Sequence, residues 1–148
     1  MGFRTIALSS GSDKEELARQ LGAHEYIDTK KTTAAEGLQK LGGADIVLAT
    51  APHPEAIAST ISGLKSRGKL VIVAAPHEPI TMSVFPLLSG KTIAGWPSGT
   101  SVDSEDTLNF SALTGVKARI ETFKFEQAEA AFGNMMANKV RFRAVIVP

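Results

Sequence analysis

The residues of this chain that could do chemistry are few and widely spaced. Histidine, whose charge changes near neutral pH, occurs at His24, His53 and His77. These intervals are not metal-ligand spacings, and no carboxylate motif joins them. His53, in the turn Pro52-His53-Pro54, and His77, after Pro76, could serve as acid or base. An ordinary surface-turn histidine is the preferred reading of both. His24 opens a strand-like segment and reads as structural. There is no cysteine, so disulfides, thiolate zinc sites and a cysteine nucleophile are ruled out. Ser9, Ser10, Gly11 and Ser12 make a hydroxyl-rich turn with Lys14 close by. As local structure this is a helix cap followed by a solvated lysine. Arg141 and Arg143 share one strand face by period two, as a basic pair guarding an exposed edge would. No G-x-G-x-x-G run is present to cradle a pyrophosphate at a helix N-terminus. Gly42-Gly43 precedes a strand rather than opening a helix, and Gly95 and Gly99 are isolated.

The elements that must position these groups follow from the apolar pattern. Residues 3–9 (FRTIALS) form a short apolar strand closed by Ser-Ser-Gly. Ser12 suits an N-cap for a helix over 13–21, with Leu17, Ala18 and Leu21 on one face and Gly22 as stop. Residues 24–28 are a second strand. A weaker helix over 33–41 is broken by Gly37, and residues 44–51 (ADIVLATA) are a nearly all-apolar strand. A helix over 54–65 carries Ile57, Ile61 and Leu64 inward. Strands follow at 69–75 and 91–96, with an irregular or briefly helical stretch at 79–89 between them. Residues 104–114 form a helix begun near Asp103. Apolar strands alternating with amphipathic helices predict an α/β fold, a doubly wound parallel sheet covered on both faces. The tail differs: an alternating strand at 117–125, a helix at 126–139 and a strand at 141–147 make a βαβ unit. Gly115 marks the expected boundary, giving domains 1–115 and 116–148.

Composition sets limits on partners. The 148 residues carry sixteen basic and fifteen acidic side chains, for a formal charge of +1. That balance predicts neither nucleic acid nor an anionic membrane as partner. The longest apolar runs are too short to span a bilayer. The first residues lead straight into a strand without a signal-peptide pattern, which predicts a cytoplasmic protein.

The ordered segments IALSSGSDKEELARQLGAHEYID, GADIVLATA, LKSRGKLVIVAAP, SGKTIAGWPSGTSVDSEDTLNFSA and IETFKFEQAEAAFGNMMANKVRFRAVI span essentially the whole chain. Together they resemble the cofactor-domain half of zinc-type, medium-chain alcohol dehydrogenases. The resemblance implies an incomplete Rossmann-like sheet that begins at the family's second nucleotide-domain strand, after the glycine-rich loop. The family's zinc ligands belong to a catalytic domain not represented here, so neither zinc nor any catalytic residue is expected in this chain. Three origins are open: a piece of a longer chain, a shortened gene product, or a subunit completed by another polypeptide.

The resemblance also implies a cofactor and a set of binding residues. The family's NAD-binding members carry an acidic residue where this chain has Ser9 and Ser10. Small hydroxyls with Gly11 and Lys14 there imply NADP, because hydroxyls and a cation accept the 2′-phosphate that a carboxylate would repel. Thr50 and Ala51 match adenosine-side positions. Val73, Ala74 and Ala75, with Pro97, Ser98 and Gly99, match positions whose backbone lines the nicotinamide pocket. Arg143 matches a position whose guanidinium contacts the pyrophosphate. Without the glycine-rich loop, binding by this chain alone is expected to be weak or absent.

Assembly and function follow as expectations. The strand from Lys91 to Trp96 occupies a sheet edge that in the family pairs with a second subunit, implying a homo-oligomer. The absent first strand would have sat between 3–9 and 44–51. A gap is expected there unless the tail strands or a second copy fill it. The leading function is a partial NADP-binding domain without independent redox activity. The alternatives are a non-catalytic binding or self-association module, or a small-molecule enzyme reusing the crevice with His53, His77 and Ser98.

Overall fold

Each apolar run becomes a strand in the computed structural model, which describes residues 2–137 and 139–148. The first strand, β1 (Ile6–Ser9), is shorter than the pattern 3–9 suggests: its pairing begins at Ile6, and Phe3 is 66% exposed. It pairs in parallel with β2 (Glu25–Asp28), so that Ile6 lies beside Glu25 and Ser9 beside Asp28. Helix α1 (Glu15–Gln20) connects them. Ser12 is not its N-cap: the cap position is Lys14, and Ser12 contributes only its carbonyl, accepting from the Glu15 N–H at 3.1 Å.

Helix α2 (Ala34–Lys40) is closed at its start by a reciprocal capping box between Thr33 and Glu36. Gly37 lies inside this helix and does not break it. A Cβ there would stand 2.7 Å from Ile27 Cγ2, so the glycine lets α2 lie directly on β2.

Strands β3 (Ala44–Ala49), β4 (Leu64–Ile72) and β5 (Thr92–Gly95) form a second parallel sheet in the order β3-β4-β5. Helix α3 (Pro54–Thr60) and a 3-10 turn (Ile61–Gly63) link β3 to β4. The expected helix 54–65 therefore ends early, and β4 begins at Leu64 rather than Lys69. The register shows why. Ala44 pairs with Leu64 but Ile46 pairs with Lys69, so β4 bulges between them. Arg67 takes φ +61° inside the bulge. A short 3-10 turn (Phe85–Ser89) precedes β5.

Ile27, Leu38, Val47, Ala49, Ile57, Ile61, Leu64 and Leu70 make one core, onto which Ile6 and Leu8 of β1 also pack. The two sheets thus share a core without sharing hydrogen bonds, as the expected gap between 3–9 and 44–51 requires. Strand β3 is buried on one face only: Val47 and Ala49 are covered, whereas Ile46 and Leu48 are 57% and 59% exposed. The two-sided burial read from ADIVLATA is corrected accordingly.

Helix α4 (Ser101–Thr114) opens on a second capping box, Thr100 with Asp103, and stops at Gly115 with φ +70°. Strand β6 (Ile120–Lys124), a 3-10 turn (Phe125–Gln127), helix α5 (Ala128–Met136) and strand β7 (Arg143–Val147) form the expected βαβ unit, with β6 and β7 parallel. The tail strands pair with each other. Asn138, inside the expected helix 126–139, lies outside the described residues. The chain divides into two compact units, one ending at Ser98 and the other running Gly99–Pro148. The boundary expected at Gly115 marks the end of α4. Among the described residues no helix is long and apolar enough to cross a membrane.

Candidate functional site

The hydroxyl-rich turn after β1 is built by its neighbour strand. Parallel pairing sets the end of β2 beside the end of β1, and β2 supplies two grips on Gly11. The Gly11 N–H donates to Asp28 Oδ1 at 2.7 Å, and the Tyr26 hydroxyl donates to the Gly11 carbonyl at 2.6 Å. Thr29 donates its N–H to the Ser9 carbonyl at 2.9 Å. Gly11 is buried and holds φ +90°, a backbone state that glycine adopts without strain.

Asp28 Oδ1 also accepts from the Lys30 N–H at 2.9 Å, and Oδ2 lies 3.9 Å from Lys31 Nζ. The Lys30 N–H foremost, then the Gly11 N–H and the charges of Lys31 and Lys30, hold the Asp28 carboxyl below the usual carboxylate range. The carboxylate at this end of the sheet is thus committed to backbone donors. The hydroxyls of Ser9, Ser10 and Ser12 make no protein hydrogen bonds among the described residues, and Ser10, Ser12 and Lys14 are exposed.

At the ends of β4 and β5 lies an open pocket of about 590 Å3. Ile72, Val73, Ala75, Pro76, Glu78, Ile80, Gly95, Trp96 and Pro97 line it. Two backbone bonds fix residues of its lining: Val73 N–H donates to the Ala49 carbonyl at 3.1 Å, and Trp96 N–H to the Ile72 carbonyl at 3.0 Å. Its walls are mainly apolar and its volume suits a small-molecule site.

The structure brings some expected site residues together and leaves others apart. Ser9, Ser10 and Gly11 share the gripped turn. Val73, Ala75 and Pro97 share the pocket, while Ala74 and Ser98 are not in its lining. Thr50 and Ala51 are exposed beyond β3, where the Ala51 carbonyl accepts from the His53 N–H at 2.9 Å. Gly99 and Arg143 belong to the second unit, with Arg143 exposed at the start of β7. His24 takes the structural role read from the sequence: its Nδ1 accepts from the Thr5 N–H at 3.0 Å. His53 and His77 are exposed and lie outside the pocket. Among the described residues no three histidine, aspartate or glutamate side chains are placed to hold a metal ion. Sequence reasoning missed Tyr26, Asp28 and Glu78. Asp28 was within reach of it, because a residue ending β2 must neighbour the residue ending β1.

The family described as "Zinc-binding dehydrogenase" matches residues 1–113. An alcohol dehydrogenase of Penicillium expansum is 47% identical over 145 residues, covering 98% of this chain and 43% of that protein. An alcohol dehydrogenase of Geobacillus stearothermophilus is 32% identical, covering 99% of this chain and 44% of that protein. Among solved structures, a cinnamyl alcohol dehydrogenase of Sorghum bicolor superposes with a TM-score of 0.79 at 27% identity, covering 95% of this chain and 40% of its own. The alcohol dehydrogenase of Aeropyrum pernix shares the fold at a TM-score of 0.86 over 98% of this chain and 43% of its own. The chain thus spans less than half the length of the curated relatives it matches.

Proposed function

Because this chain belongs to the zinc-binding dehydrogenase family, we propose that it forms the cofactor-holding part of an alcohol dehydrogenase and prefers NADP to NAD. The observation that carries this reading is the turn after β1. It offers unpaired hydroxyls at Ser9, Ser10 and Ser12, has Lys14 nearby, and has its one adjoining strand-end carboxylate, Asp28, already committed to backbone N–H groups. A ribose 2′-phosphate meets donors there rather than a free carboxylate. The pocket at the ends of β4 and β5 has room for a planar ring, with Val73, Ile80 and Trp96 among its apolar lining. The cofactor, when bound, supplies hydride acceptance and donation. The protein's part is to bind the adenosine end at the turn, seat the ring in the pocket and keep the 2′-phosphate solvated by hydroxyls and ammonium.

The described residues do not fit a zinc site. We take the 148 residues by themselves to bind without oxidising alcohol. Calorimetric titration of the chain with NADPH and NADH tests both parts. The expected result is tighter binding of NADPH. Equal or stronger binding of NADH overturns the preference, and robust alcohol-dependent NADP reduction by this chain overturns its inactivity.

One observation favours self-association as a second property. Strand β5 stands at the edge of its sheet, with Trp96 just beyond it 64% exposed. Sedimentation of a clean monomer at high concentration would refute pairing through this edge.

A further inference from the structure

The resemblance assigns the turn one cation, Lys14. The fold brings a second one that lies far along the sequence. Lys30 follows β2, and its Nζ stands 3.6 Å from the point where a Cβ on Gly11 would sit. Because Gly11 has no side chain, nothing separates that ammonium from the turn. We propose that Lys30 reads the ribose 2′-phosphate and is a specificity-determining residue for NADP. This rests on the NADP reading of the turn given above.

Three features support the assignment. First, Lys30 Nζ makes no ion pair with a carboxylate among the described residues, whereas Lys31 lies against Asp28. Its charge therefore remains available to a ligand. Second, the Lys30 backbone is itself fixed, because its N–H donates to the same Asp28 oxygen that holds the Gly11 N–H. Turn and lysine are thus anchored to one carboxylate and keep a common frame, which lowers the cost of presenting the cation. Third, the opposing charge is identifiable. Asp13 Oδ1 reaches the same point over Gly11 at 2.9 Å. An anion approaching the turn meets the exposed Asp13 carboxylate together with the exposed ammonium groups of Lys14 and Lys30, and of these it is Lys30 that shares with Asp13 the space over Gly11. Removing it leaves Asp13 without a cation in the space over Gly11.

The test uses adenosine 2′-monophosphate and adenosine 5′-monophosphate, which carry the same charge in different places and need no pyrophosphate loop. Each is titrated into the 148-residue chain and followed by amide chemical shifts. The chain should prefer the 2′ isomer. Lys30→Ala should cut that preference about fivefold, the order expected for loss of one exposed charge contact. Lys30→Arg should retain it, and the thermal midpoint should not move, since the side chain is exposed. Lys30→Ala with the parent's preference would overturn the role of Lys30 and leave the NADP reading standing. A parent chain with no preference between the isomers would overturn both.

Discussion

Replacing Gly11 by alanine isolates the one backbone position on which the cofactor turn depends. Gly11 holds φ +90°, and a residue with a Cβ placed there costs roughly 1–2 kcal/mol. The added methyl would stand 2.9 Å from Asp13 Oδ1 and 3.6 Å from Lys30 Nζ. The first contact is the free end of an exposed side chain that can rotate away, and the second is ordinary packing distance. Steric crowding therefore adds little to the backbone term. The turn has an alternative, which is to relax φ and give up its grips. That loosens the 2.6 Å bond from Tyr26, worth about 1 kcal/mol, together with the bond from the Gly11 N–H to Asp28. Either route destabilises by about 1–2 kcal/mol. With a urea dependence of roughly 1–3 kcal/mol/M, the unfolding midpoint followed by circular dichroism should fall by about 0.3–2 M. Binding of adenosine 2′-monophosphate should weaken in parallel, since the hydroxyls of Ser9, Ser10 and Ser12 lose their frame. An unchanged midpoint with unchanged binding would refute the claim that this turn requires a left-handed residue.

Two further outcomes follow from packing and charge. Gly63→Ala would place a Cβ 2.6 Å from Leu38 Cδ1, 2.9 Å from Leu38 Cβ and 3.2 Å from the Ala35 Cα. Backbone and a fully buried leucine cannot step aside, so urea unfolding should show a loss of about 1–3 kcal/mol. That exceeds the entropic gain of about 0.4–1 kcal/mol, and a stabilised variant would refute the close approach of α2 to the 3-10 turn. Acid unfolding has a definite sign. Asp28 is held below the usual carboxylate range chiefly by the Lys30 N–H, Glu36 by the Thr33 N–H and hydroxyl, and Asp103 by the Thr100 N–H and hydroxyl. Carboxyls lowered on folding stabilise above their unfolded values and lose that contribution as pH falls through their folded ones. The urea midpoint should stay level from pH 7 to 5 and drop below about pH 4. A midpoint that rises on acidification would refute this.

What could be read from the sequence was whatever depends on local pattern. The alternation of apolar runs with amphipathic stretches located all seven strands of the described residues, because burial of a strand is written into consecutive residues. The parallel βαβ tail was equally legible from 117–147. Boundaries failed where a non-local contact decided them. Gly37 looks like a helix breaker in isolation, but in the fold its bare Cα is what lets α2 touch Ile27. Lys65 reads as a helix end and 66–68 as the connection to a strand at 69, yet the bulge against Ala44 draws the whole segment into β4, with Arg67 in a left-handed state. Ser12 looks like a cap, but Lys14 occupies that position and the Ser12 hydroxyl remains unpaired.

The site shows the same division. Ser9, Ser10, Gly11 and Lys14 are contiguous, so one stretch of sequence presents them. Tyr26, Asp28 and Lys30 reach the turn only because β1 and β2 are parallel and in register, Ser9 beside Asp28. No spacing rule within a single segment contains that information; strand pairing does. Strand β3 carries the argument one step further. Its sequence ADIVLA is apolar on both faces, as a central strand of a covered sheet would be. Yet β3 pairs only with β4, and Ile46 and Leu48 stand exposed opposite the buried Val47 and Ala49. Fully burying those two side chains would contribute roughly 1.5–3 kcal/mol each. The strand is therefore patterned for more cover on that face than the described residues give it. Among the described residues no strand is hydrogen-bonded to the other edge of β3, and the two sheets meet on one core without a ladder between them.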